Sequence, residues 1–119
     1  MNLTFDEIHL NPTAAGKLMA RELVARFSTS DPKALCEAFG VTVKTQHWIP
    51  VTHGEFDSGS RVVTLNLASE KSVMEILGHE LGHVIQDELG IANHSEEYCD
   101  GLSAELIRLS EQQMCKDGE

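Results

Sequence analysis

Ile76-Leu77-Gly78-His79-Glu80-Leu81-Gly82-His83-Val84 is the stretch on which the reading of this chain turns. Ser72 and Glu75 stand at capping-box spacing just ahead of the apolar Val73, Met74, Ile76 and Leu77, so the run predicts a helix with His79-Glu80-Leu81-Gly82-His83 in its middle. Residues four apart on a helix lie one above the other on the same face, and His79 and His83 therefore reach toward one cation. Glu80 projects beside that cation, where a carboxylate takes a proton from an attacking water and later returns it to a leaving amine. With 6 His and 13 Glu among 119 residues, chance supplies roughly 0.03 such runs, so context has to carry the assignment. Gly78 and Gly82 flank the site; glycine within a helix costs on the order of 1 kcal/mol against alanine, which points to close approach by another backbone or by a substrate.

A site of this kind needs a third protein ligand from a later helix. Glu96 and Asp100 again lie four apart on one helical face, so Glu96 is the candidate ligand and Asp100 the acceptor for the outward nitrogen of His79 or His83. Gly90 reads as the stop of the first helix and Asn93-His94-Ser95 as the cap region of the second, which lets the chain turn back. Asn93 and Glu96 also have capping-box spacing, so a helix-start role for Glu96 stands beside the ligand role. The last helix is expected over about residues 95–113, with Cys99, Leu102, Leu106, Ile107 and Leu109 toward the core, followed by a polar tail.

Upstream, residues 12–28 place Ala15, Leu18, Met19, Leu23 and Val24 at helical recurrence. Ser30-Asp31-Pro32 starts a short second helix whose inner face carries Ala34, Leu35, Ala38 and Phe39 before Gly40. Residues 41–46 alternate as a half-buried strand leading to Trp48, residues 51–56 make a weaker strand, and Asp57-Ser58-Gly59-Ser60 turns into the clearest strand, residues 61–66. The order predicts one α+β domain spanning residues 1–119, with a small, mainly antiparallel sheet and further helices at both ends.

Ordinary hydrophobic (41%) and charged (24%) fractions argue for a folded chain, while a net charge of −10 disfavours direct nucleic-acid binding. Cys36, Cys99 and Cys115 form no C-x-x-C pair and are expected to be reduced and partly buried. Residues 1–7 have no basic start or apolar run, and no stretch is long enough to span a membrane, so a cytoplasmic protein is expected. His9 and His47 have no partners at ligand spacing; Trp48 and Phe56 read as core or cleft wall, and Asp87 and Glu88 as a wet face.

Over most of its length the chain resembles the ImmA/IrrE family of zinc metallopeptidases. The resemblance runs through Asp31-Pro32-Lys33-Ala34-Leu35-Cys36-Glu37-Ala38-Phe39-Gly40-Val41, Gly54-Glu55-Phe56 with Arg61-Val62-Val63-Thr64-Leu65-Asn66, the motif run, and residues 96–107. In that last segment the family usually has Ala three residues after the Glu, then an aromatic and Ala; Cys99, Leu102 and Ser103 stand there instead. The resemblance implies a gluzincin-like, zincin-type fold, with the small sheet packed on the motif helix, and a zinc endopeptidase. Its metal would be held by His79, His83 and Glu96, with Glu80 as general base and Asp100 as support. It also implies that the strand over residues 62–66 is an edge able to pair with an extended peptide. The substrate expected is a protein or peptide, such as a transcriptional repressor, with selection by the cleft, by a homodimer or by a partner protein. No residue is assigned as oxyanion donor; His53, His94 and Tyr98 are the candidates. The competing readings are a non-catalytic zinc-containing interaction protein, against which the presence of Glu80 counts, and a hydrolase of another substrate class.

Overall fold

The computed structural model describes residues 10–47 and 53–117. Expectations placed on residues 1–7, His9, Trp48, Val51 and the side chain of Cys115 lie outside the described residues. The elements run α1 (Pro12–Phe27), α2 (Pro32–Ala38), β1 (Thr42–Gln46), β2 (Gly54–Asp57), β3 (Val62–Asn66), α3 (Val73–Glu88) and α4 (Glu96–Asp117), which is an α+β order.

Each helix begins where a short polar side chain can take an orphan amide. Asn11 accepts from Ala14 N ahead of Pro12, Asp31 from Lys33 N ahead of Pro32, and Ser72 from Glu75 N at 3.1 Å. At the head of α4 the cap is Ser95, whose Oγ accepts from Tyr98 N at 3.2 Å, and not Asn93; this frees the Glu96 carboxylate from helix-start duty. Gly90 ends α3 with a φ of 75°, the left-handed conformation that glycine adopts without a Cβ clash.

The sheet departs from expectation in two respects. Its strand order is β1-β3-β2, with β1 parallel to β3 and β2 antiparallel to it, so it is mixed and not mainly antiparallel. The strand over residues 62–66 is consequently the central one and not an edge. The hairpin turn, where Asp57 Oδ1 accepts from Gly59 N, delivers β3 beside β2, and β1 covers its other side. Among the described residues the outer strands are β1 and β2.

Val63 and Leu65 point from one face of β3 into the core, where they meet the apolar side of α3 through Ile76, Leu77, Leu81, Val84 and Ile85. Each of these fully buried side chains contributes roughly 1.5–3 kcal/mol. On the other side of α3 lie α4, through Tyr98, Leu102 and Leu106, and α1, which buries Ala15, Met19, Ala20 and Leu23 while Leu18 stays partly exposed. The α1 and α4 backbones nearly touch: a Cβ on Gly16 would fall 2.2 Å from the Tyr98 carbonyl oxygen. Asp87 and Glu88 are not simply a wet face. They hold the Arg61 guanidinium at 3.1 and 2.5 Å, and Arg61 also donates to the Phe39 carbonyl, which fastens the start of β3 to the end of α3. Among the described residues no helix is long and apolar enough to cross a membrane.

Candidate metal centre

The middle of α3 presents His79 and His83 on the face turned toward the start of α4. The two helices meet closely because α3 carries no side chain at two positions of that face. A Cβ on Gly82 would lie 2.6 Å from Cys99 Cα, and one on Gly78 would lie 2.8 Å from Ser103 Oγ. Of the two reasons weighed for these glycines, close approach of another backbone is the one the structure bears out.

This approach brings Glu96 onto both imidazoles. Its carboxylate oxygens stand 2.7 Å from His79 Nε2 and 3.3 Å from His83 Nε2. The outward nitrogens are engaged as well: His79 Nδ1 lies 2.8 Å from Asp100 Oδ1, and His83 Nδ1 lies 3.0 Å from His94 Nδ1 with the two rings stacked. The structure thus gathers His79, His83, Glu96 and Asp100, with the two Nε2 atoms aimed inward. Donor atoms sharing a tetrahedral cation at bonds of about 2.0–2.2 Å stand about 3.4 Å apart, so these residues fit a metal ion after Glu96 withdraws slightly from His79. Cys99 Sγ is close too: it and one ring nitrogen each from His79 and His83 lie within 4.8 Å of one another, close enough to hold a metal ion.

The site opens into a cleft of about 1070 Å³ whose wall includes β2, Glu80, both imidazoles and His94. Glu80 is 6% exposed but lines this cleft. Burial pushes its carboxyl up to about 7; His79 pulls the other way, and the negative charges of Glu96 and Glu55 add to the rise. A carboxyl in that range suits proton transfer near neutral pH. Burial also holds His83 below the ordinary imidazole range, opposed by Glu96, which favours the neutral form that binds metal. Cys99, wholly buried, has its thiol pushed well above the usual range, first by burial and then by the carboxylates of Glu96 and Glu80.

Of the candidate oxyanion donors, His53 and His94 line the cleft. Tyr98 does not: it is fully buried in the core, and its hydroxyl has no partner among the described residues. The sequence reading missed the part that three residues play at the site, having weighed His94 only as a cap-region residue or oxyanion donor and Cys99 only as a core residue. His94 supports His83, Cys99 lies beside the imidazoles, and the fully buried Gln86 ties the α3–α4 connection in place. Gln86 Oε1 accepts from Ser95 N at 2.7 Å, and its Nε2 donates to the Ser95 carbonyl at 3.1 Å. One signal was present in the spacing: His79, Gly82, His83 and Gln86 recur at i, i+3, i+4 and i+7, a single helical face. Comparison of the chain with family models, with curated proteins and with solved structures returns no match.

Proposed function

We propose that this chain is a zinc-dependent endopeptidase of the zincin type, akin to the ImmA/IrrE metallopeptidases it resembles. The observation that carries the reading is the Glu96 carboxylate lying 2.7 and 3.3 Å from the inward nitrogens of His79 and His83, beside a Glu80 that faces the same cleft. His79, His83 and Glu96 would hold the ion. When bound, zinc supplies Lewis acidity toward a peptide carbonyl and toward water.

The remaining steps belong to the chain. Glu80 removes a proton from the attacking water and passes it to the departing amine, and its desolvated setting keeps the carboxyl basic enough for the first transfer. Asp100 fixes the ring orientation of His79 through Nδ1, as His94 does for His83. β2, an outer strand of the sheet among the described residues and one wall of the cleft, gives an extended peptide a track past Glu80. Gly54 lets β2 lie close against α3 beside Glu80, since a Cβ there would meet Ile76 Cγ2 at 2.7 Å and Glu80 Cγ at 3.5 Å.

The test pairs wild type with Glu80→Gln, measuring zinc content by elemental analysis and cleavage of a peptide library by mass spectrometry. The expected result is one zinc in each protein, with cleavage lowered about 10²–10⁴-fold in Glu80→Gln. Equal zinc with no cleavage by either protein would overturn the peptidase and leave a metal-containing interaction protein, a reading to which the nearness of Cys99 to the imidazoles lends some support.

A further inference from the structure

We propose that the Cys99 thiolate is itself a metal ligand, joining His79, His83 and Glu96 around the same ion from the buried side of the site. The inference rests on the metal-binding half of the function above and not on peptide hydrolysis. Three observations carry it.

First, the donor atoms of Cys99, His79 and His83 already lie within 4.8 Å of one another. Around a tetrahedral ion with bonds of about 2.0–2.3 Å they would stand about 3.4–3.7 Å apart, so an inward shift on the order of 1 Å brings them onto one cation. Second, the helix pair offers two ligands from each side. His79 and His83 are four apart on α3, while Glu96 and Cys99 are three apart on α4, so both α4 side chains face the same turn of α3. Cys99 is fully buried while the Glu96 side chain is 66% exposed, which makes the sulfur the interior member of the pair. Third, the sulfur already has a hydrogen-bond donor: Gln86 Nε2 lies 3.4 Å from Cys99 Sγ. The amide cannot be turned the other way, because its oxygen is held by the Ser95 N–H. The same amide nitrogen also donates to the Gly82 and Ser95 carbonyls, and a share of its donation turned toward the sulfur would brace a bound thiolate.

On binding, the Cys99 S–H bond breaks, its proton passes to solvent, and the sulfur lone pair forms the bond to the divalent ion. A thiolate in the set favours zinc or cobalt over manganese or magnesium.

Cobalt(II) is the probe, because a bound thiolate gives a near-ultraviolet sulfur-to-metal charge-transfer band that nitrogen and oxygen ligands do not. Full-length wild type loaded with one cobalt is expected to show the band, and Cys99→Ala to lose it while keeping visible cobalt absorption. Cys99→Ala is also expected to raise the zinc dissociation constant at least about 10-fold in competition with a chelator, since even the supporting residues of a metal site are worth that much. A double variant, Cys36→Ala with Cys115→Ala, keeps Cys99 as the sole thiol and decides the matter should Cys99→Ala fail to fold: the band must persist. Cobalt bound without the band, in wild type or in the double variant, or a band that survives in Cys99→Ala, overturns the ligand role of Cys99 alone. Failure of wild type to bind cobalt or zinc overturns the metal centre as a whole.

Discussion

At the scale of single residues, the centre is organised by what holds each imidazole from behind. Asp100 accepts from His79 Nδ1 at 2.8 Å, which fixes the ring with its other nitrogen turned inward. Asp100→Ala is therefore expected to weaken zinc binding about 10–100-fold in chelator competition, with unchanged helical circular dichroism because the Asp100 side chain is 69% exposed. Equal affinity in the two proteins would remove Asp100 from the site. The pairing of His79 with His83 and of Glu96 with Asp100 was legible in the sequence because each depends only on helical period, whereas the meeting of the two pairs depends on how the helices pack. His94 was not legible in the same way, since its contact with His83 crosses a loop whose path no local pattern encodes. Cys99 was read correctly as inward-facing, but a period that places a side chain toward the interior does not say whether apolar groups or imidazoles await it.

At the scale of elements, the distance between α3 and α4 sets whether the four side chains can converge, and Gly82 sets that distance. In Gly82→Ala, two effects oppose. Alanine gains about 1 kcal/mol of helix propensity, but its Cβ would lie 2.6 Å from Cys99 Cα, and forcing packed backbone apart costs about 1–3 kcal/mol. The steric term wins because the obstacle is backbone and cannot rotate away. The expected outcome is a net loss of about 1 kcal/mol in urea unfolding together with weaker zinc binding; a stabilised protein with unaltered affinity would mean the helices tolerate wider spacing. Gln86→Leu tests the connection between these helices. It leaves the Ser95 N–H without its buried acceptor and is expected to cost about 1–3 kcal/mol by the same measurement, although volume is nearly conserved. The helices and the hairpin turn could be read from the sequence to within a few residues, because caps and glycines mark them locally. The sheet order could not be read. The alternation in β1 is the same whether its neighbour runs parallel or antiparallel, and β3 is central because of what packs on both its flanks, which its own residues do not reveal.

At the scale of the whole molecule, one of the contacts that join α1 to α4 is ionic, and it makes stability depend on pH. Glu105 on α4, with 3% of its side chain exposed, accepts from Arg108 Nε and Nη2 at 2.7 and 2.8 Å and from Arg21 Nε of α1 at 2.6 Å. The hydrogen bonds from Arg108 lead in holding its carboxyl down at about 2, with Arg21 adding to them against the opposing effect of burial. Because the folded value is depressed below the ordinary 4.5, the unfolded chain takes up this proton first as acid is added. The stabilisation is therefore complete above about pH 4.5 and is lost progressively as pH falls toward about 2. Both guanidinium partners are about half exposed, so solvent screening cuts the contribution to about 1–2 kcal/mol. The net charge of −10 complicates a measurement on wild type alone, since acid also relieves repulsion among carboxylates and acts with the opposite sign. Comparison with Glu105→Gln removes that background, which the two proteins share almost fully. Urea unfolding is expected to find the variant less stable by about 1–2 kcal/mol at pH 7 and the gap closing below pH 4.5. A gap that stayed constant across that range would mean Glu105 stabilises the α1–α4 contact by packing and not by its charge.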